Sequence, residues 1–230
     1  MSLLDSVRVL GAMARVTAPT LVEMTRGAVT RDAIDQRTRW FGRRVVELLG
    51  IDLTVVGADH VPDRAVVYMS NHQSHLDIPM LYASLPSPTI RMLAKTELFR
   101  IPLWGRGLRA AEFVEVDRKN HQSAISSIEH AAALIRDGVS IYLAPEGTRS
   151  RDGRVGKLKK GGFHLAIGTG APIVPVAIRG TIDILPRGSK VMRSGQRVTV
   201  QIGAPIDVAG RDLDSLIAQV GDFLVHNVEV

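Results

Sequence analysis

Apolar residues recur at two different intervals along this chain, and the interval changes near Gly50. Before it, Leu3, Leu4, Val7, Leu10, Gly11 and Ala14 repeat every three or four positions, the spacing of one helical face. Pro19 interrupts the series and is expected to open a second helix. The pattern resumes from Ile34 to Leu49, with Trp40, Phe41, Val45, Leu48 and Leu49 apolar and arginines between them; Gly50 is a plausible stop. Beyond it, short β-rich runs predict strands at Asp52–Val56, Ala65–Ser70, Thr89–Ala94, Glu112–Val116, Val139–Ala144, Ile173–Ile178 and Arg197–Ile202. Helical stretches near Ile78–Ser84, Gln122–Arg136, Gly161–Ile167 and Leu213–His226 lie between them. Such alternation predicts an α/β fold: a central mixed, largely parallel sheet flanked by helices, with a helical segment over 1–50 ahead of an α/β domain over 51–230.

Composition narrows the partners. At 230 residues, with 45% hydrophobic and 23% charged residues, the chain suits one sizeable core. It has no cysteine, which excludes disulfides, thiolate metal sites and a Cys nucleophile. The net charge is +6, and its excess is uneven. Arg8, Arg15, Arg26, Arg31, Arg37, Arg39, Arg43 and Arg44 stand against only Asp5, Glu23, Asp32 and Asp35, and Arg149, Arg151, Arg154, Lys157, Lys159 and Lys160 are interrupted only by Asp152. An anionic partner is implied: nucleic acid, an acidic membrane surface or a phosphorylated substrate. Aromatic residues at 4% leave little for base stacking, and no nucleic-acid motif is present, so nucleic acid is not the expected partner. No apolar run reaches the roughly 18–20 residues that span a bilayer, and no secretory signal is evident. The arginine-rich helical segment is instead a candidate for lying on an anionic membrane surface.

The richest chemistry is in Ser70-Asn71-His72-Gln73-Ser74-His75-Leu76-Asp77, between a predicted strand and a predicted helix. Five residues is not a same-face helical spacing, but a tight turn off the strand end can bring His72 and Asp77 together. Neutral imidazole can take a hydroxyl proton as oxygen attacks a carbonyl, and a carboxylate can hold its tautomer. The spacing alone also fits a helix-cap role for Asp77. Ser74 reads as a turn or cap residue rather than a covalent relay. No metal-ligand cluster stands out.

Residues 71–77 also resemble the first signature block, NHxxxxD, of the glycerolipid acyltransferase family, the group of bacterial 1-acylglycerol-3-phosphate acyltransferases. Phe113-Val114-Glu115-Val116-Asp117-Arg118 resembles the second block, Pro145-Glu146-Gly147-Thr148-Arg149-Ser150 the third, and Ile173-Val174-Pro175-Val176-Ala177-Ile178 the fourth. Lys95-Thr96-Glu97-Leu98 looks like the family's Lys-x-Glu-Leu segment. Glu115 stands where the family more often has a small or apolar residue. The resemblance covers about residues 65–180 and implies the family's α/β acyltransferase fold.

What the resemblance implies is transfer of a fatty acyl group to the free hydroxyl of a lysophospholipid, 1-acylglycerol-3-phosphate, giving phosphatidic acid. Glycerol 3-phosphate or another lysolipid is the alternative acceptor. No cofactor is implied beyond an acyl-CoA or acyl carrier protein thioester as co-substrate. His72 and Asp77 are the expected catalytic pair. Arg118, Glu146, Gly147, Thr148 and Arg149 are expected at the acceptor's phosphate and glycerol, with Lys95 a further phosphate ligand. Arginine's planar fork suits that task on its own chemistry. Ile173, Val174 and Val176 are expected as core and acyl-pocket wall, and a backbone N–H near Gly147 as oxyanion donor. The expected place of work is the cytoplasmic face of the cell membrane, as a peripheral protein.

Overall fold

Apolar runs without alternation become the buried middle of a sheet, because a strand covered on both faces has no solvent side. The computed structural model describes residues 3–117, 121–189 and 191–229. Among these, seven strands form one sheet: β1 (Asp52–Val56), β2 (Val67–Ser70), β3 (Ile90–Lys95), β4 (Val114–Val116), β5 (Ser140–Leu143), β6 (Ile173–Arg179) and β7 (Arg197–Ile202). All seven predicted strands are present, within a residue or two at their ends. Their order is β1-β7-β6-β2-β5-β3-β4. Five of them, β6 through β4 in that order, are mutually parallel, while β7 pairs antiparallel with β6 and parallel with β1. The sheet is therefore mixed and largely parallel. Edge strand β1 is mostly exposed and pairs Asp52 with Arg197, which blunts an open edge.

Helices cover both faces. On one side lie α1 (Leu3–Thr25), α2 (Arg31–Leu48) and α3 (Asp77–Ser84); on the other α6 (His121–Arg136), α7 (Gly161–Thr169) and α9 (Leu213–Val228). Alternate residues of β6 serve the two layers: Val174, Val176 and Ile178 pack with Val45, Leu49 and Met80, whereas Ile173 and Ala177 pack with Phe163, Leu216 and Val220. Short helices α4 (Thr96–Phe99), α5 (Trp104–Ala110) and α8 (Thr181–Ile184) were not expected, being too short to show a period in sequence.

Pro19 does not open a second helix. Helix α1 runs through it, since a proline removes only one ladder donor, while the Thr17 and Thr20 hydroxyls bond the Met13 and Val16 carbonyls on either side. The break comes later, at Arg26–Thr30, where Gly27 adopts φ 64° and Thr30 caps α2 by accepting from the Ala33 N–H. Helix α2 is built into the core. Val45 and Leu49 are fully buried, and Asp35 meets the buried Arg91 of β3 at 2.5 Å. A buried guanidinium needs such a partner, so this pair pins the helix to the sheet.

Helix α1 is turned the other way. Asp5, Ser6, Val9, Ala12 and Thr20 are its buried residues, whereas Leu3, Leu4, Val7 and Leu10 are 71%, 55%, 56% and 57% exposed. No helix among the described residues is long and apolar enough to cross a membrane.

Candidate active site

Parallel strands end on the same edge of a sheet, so the segments leaving them meet there. His72 follows β2, Glu146 to Arg149 follow β5, Lys95 closes β3 and Thr181 follows β6. Because β2 lies between β5 and β6, the motif turn has a neighbour on each side. Asn71 starts the turn. Its side chain donates to the Ile178 carbonyl at 2.8 Å and accepts from the Ile178 N–H at 2.7 Å, continuing the ladder to β6 after the β2 backbone turns away.

The expected pair forms. His72 Nδ1 lies 2.7 Å from Asp77 Oδ2, which leaves Nε2 as the nitrogen available to a substrate. The same carboxylate oxygen accepts from the Gln73 and Ser74 N–H groups at 2.8 and 3.0 Å, and Oδ1 accepts from the Thr181 hydroxyl at 2.5 Å. Asp77 is completely buried, while the His72 side chain is 21% exposed. A buried carboxylate held by four donors cannot rotate, so it fixes the imidazole plane. Ser74 is a turn residue as expected: its hydroxyl donates to the Leu185 carbonyl and accepts from the Leu76 N–H.

Glu146, expected at the acceptor's phosphate and glycerol, stands against the motif turn. Its two carboxylate oxygens each accept a backbone N–H at 2.8 Å, from His72 and from Gly156. It is a buried brace between the motif turn and the loop before α7. Burial pushes its carboxyl above the usual range, partly offset by those two N–H groups. Gly156 permits this approach, because a Cβ there would lie 2.9 Å from Glu146 Oε2.

Gly147 has φ 71°, a conformation that favours glycine, and its own N–H donates to the Ala144 carbonyl. That N–H is thus engaged in a turn and not free for an oxyanion. Thr148 is exposed and Arg149 half-buried on the same loop, which docks on the motif through the Ser150 N–H and the His72 carbonyl at 2.7 Å. Burial pushes the Arg149 guanidinium down, and the neighbouring Arg187 adds to this while Asp77 opposes it. The exposed Lys95 is near enough that, after partial burial, Arg149 and His72, it too pushes the His75 imidazole down. Arg118 lies outside the described residues.

Ile173, Val174 and Val176 are fully buried in the sheet interior, so they are core and expose no surface to a pocket. The apolar cleft beside the site, about 240 Å³, is lined instead by Leu93, Val116, Leu143, Pro145, Gly147 and Leu165, with Lys159 at its wall. Sequence reasoning also missed Thr181 and Arg187. Neither lies in a recognisable spacing with the motif, and only the return of β6 beside β2 brings them in.

The fold and site together define an α/β protein with a fixed histidine–carboxylate pair at the edge of its sheet, flanked by an arginine loop and an apolar cleft. A model of the Acyltransferase family matches residues 52–179. This chain is 37% identical over 161 residues to the 1-acyl-sn-glycerol-3-phosphate acyltransferase BAT2, chloroplastic, of Brassica napus, covering 69% of this chain and 46% of that one. It is 34% identical over 183 residues to the 1-acyl-sn-glycerol-3-phosphate acyltransferase alpha of Homo sapiens, covering 79% and 64%. The crystal structure of the 1-acyl-sn-glycerophosphate acyltransferase PlsC from Thermotoga maritima is similar with a TM-score of 0.83 and 29% identity, covering 99% of this chain and 94% of that chain. The chain belongs to the Acyltransferase family. It spans about half the length of the chloroplastic relatives from Brassica napus and Arabidopsis thaliana.

Proposed function

We propose that this protein transfers a fatty acyl group from an acyl-CoA or acyl carrier protein thioester to the free hydroxyl of 1-acylglycerol-3-phosphate, giving phosphatidic acid. His72 Nε2 takes the hydroxyl proton as oxygen attacks the thioester carbonyl carbon. The carbon–sulfur bond breaks, and the departing thiolate takes that proton back from the imidazolium, leaving an ester, a free thiol and neutral His72. Asp77 holds the ring and stabilises the imidazolium. Arg149 and Lys95 bind the acceptor's phosphate, and the cleft along Leu93, Val116, Leu143 and Leu165 takes the acyl chain.

The observation that carries this reading is the 2.7 Å contact of His72 Nδ1 with a buried Asp77, next to the arginine loop docked on His72. The printed names of the relatives support the acceptor. The exposed Leu3, Leu4, Val7 and Leu10 of α1 support a peripheral place at the cytoplasmic face of the membrane, where a lipid acceptor resides.

Purified protein incubated with an acyl-CoA and with the same acyl chain on acyl carrier protein is expected to convert 1-acylglycerol-3-phosphate to phosphatidic acid, read by product mass. It is expected to leave glycerol 3-phosphate unconverted. His72→Ala is expected to abolish turnover while the far-ultraviolet circular dichroism stays unchanged. Turnover retained in that variant defeats the general-base role, and product from glycerol 3-phosphate alone defeats the acceptor.

A further inference from the structure

Arg187 belongs to no signature block, yet it reaches the site. Its Nη1 donates to the Arg149 carbonyl at 3.0 Å, so the segment after α8 closes over the arginine loop. Two residues earlier, the Leu185 carbonyl accepts from the Ser74 hydroxyl of the motif turn at 2.8 Å. One residue beyond Arg149, the Ser150 N–H binds the His72 carbonyl at 2.7 Å. Arg187 is thus tied on both sides to loops that carry the His72–Asp77 pair.

The charges explain what such an arrangement is for. Arg149 and Arg187 are close enough to repel, and among the described residues neither pairs with a carboxylate. Asp77 also acts on Arg149 but is held by four donors of its own and makes no ion pair with it, so the two neighbouring guanidinium groups are stabilised further when an anion is shared between them. A phosphate monoester is the fitting anion. Its second pKa is about 6, so near neutrality it carries close to two negative charges and three terminal oxygens for two planar forks. A phosphodiester offers one charge and one fewer terminal oxygen.

We propose that Arg187 and Arg149 form a two-guanidinium clamp that reads the acceptor's phosphate as a monoester. Arg187 is then a specificity-determining residue that favours 1-acylglycerol-3-phosphate over lysolipids whose phosphate bears a further headgroup. The clamp rests on the acyl-transfer reading above and names what that site selects.

The test uses the full chain and acyl-CoA, with acceptors dispersed in neutral detergent micelles so that surface charge does not contribute. KM and kcat are measured for 1-acylglycerol-3-phosphate and for lysophosphatidylglycerol in wild type, Arg187→Gln and Arg187→Lys. Arg64→Gln, which removes an exposed arginine ahead of β2, at the opposite end of that strand from His72, controls for net charge. Thermal unfolding is followed for each protein. Arg187→Gln is expected to raise KM for the monoester about tenfold and to lower monoester-over-diester selectivity by a similar factor, as for loss of one charge-assisted hydrogen-bonded group. Arg187→Lys should recover part of both, having the charge without the fork. Selectivity and monoester KM within twofold of wild type in Arg187→Gln, or the same loss in Arg64→Gln, overturn the clamp. Wild type that converts neither acceptor, with acyl-CoA or with the same chain on acyl carrier protein, overturns the acyl-transfer reading and takes the clamp with it, a result distinct from a working enzyme indifferent to Arg187.

Discussion

The turn from Asn71 to Asp77 and the outer face of α1 are opposites. In the turn, Asn71, His72, Ser74 and Asp77 each have named partners, drawn from residues as distant as Ile178, Thr181 and Leu185. On α1, Leu3, Leu4, Val7 and Leu10 form an apolar stripe that faces outward. The first region is over-determined, which is what holding one imidazole in one orientation requires. The second lacks the covering that an apolar face finds in water, and the free energy it withholds from folding is available to a second apolar medium. Surplus contact fixes a side chain in place, whereas missing contact leaves a face open to a partner.

The largest effect tests the over-determined side. Asp77→Asn keeps size and shape but presents an N–H or a weaker acceptor to His72, and steady-state turnover is expected to fall about a thousandfold. A loss below tenfold would show that the ring does not depend on this carboxylate. Next comes the outward side. Replacing Leu3, Leu4, Val7 and Leu10 together by serine is expected to weaken co-sedimentation with anionic vesicles by about a hundredfold, since a fully buried aliphatic side chain contributes roughly 1.5–3 kcal/mol. Stability in buffer should change by only about 0.5 kcal/mol per site or less, as at other exposed positions. Wild-type vesicle binding, or a large loss of stability, would show that the stripe is covered by protein after all.

The smallest of the three returns to the turn. Thr181→Val removes one of the four donors to Asp77 and is expected to lower kcat about tenfold with KM little changed, and to destabilise by about 1–3 kcal/mol. Thr181→Ser should restore kcat. A valine variant with lowered stability and full kcat would make Thr181 structural only.

Much of this was readable along the chain. The β-rich runs located every described strand, the central ones as continuous apolar segments and β1 and β7 through their β-branched residues, because both signals are local. The His-x4-Asp pair was readable for a related reason: both residues lie within one turn, so their meeting needs no long-range information. Pro19 misled because a proline's local penalty was weighed without the threonine hydroxyls beside it. The bracing contacts of Glu146 were not readable, because its two partners are backbone N–H groups that no side-chain pattern reveals.

The division follows from range. By itself the sequence determined the α/β alternation, the His72–Asp77 pairing and the excess of arginine, all properties of neighbouring residues or of composition. Only tertiary structure decided that Thr181 grips Asp77 across 104 positions and that Arg187 reaches Arg149. Both depend on β6 returning beside β2, a choice of strand order made by burial of the whole sheet. It likewise decided that the α1 stripe faces outward while that of α9, with Leu216, Val220 and Leu224, faces inward. Periodicity marks an apolar face, but which surface covers it depends on what the rest of the fold has left bare.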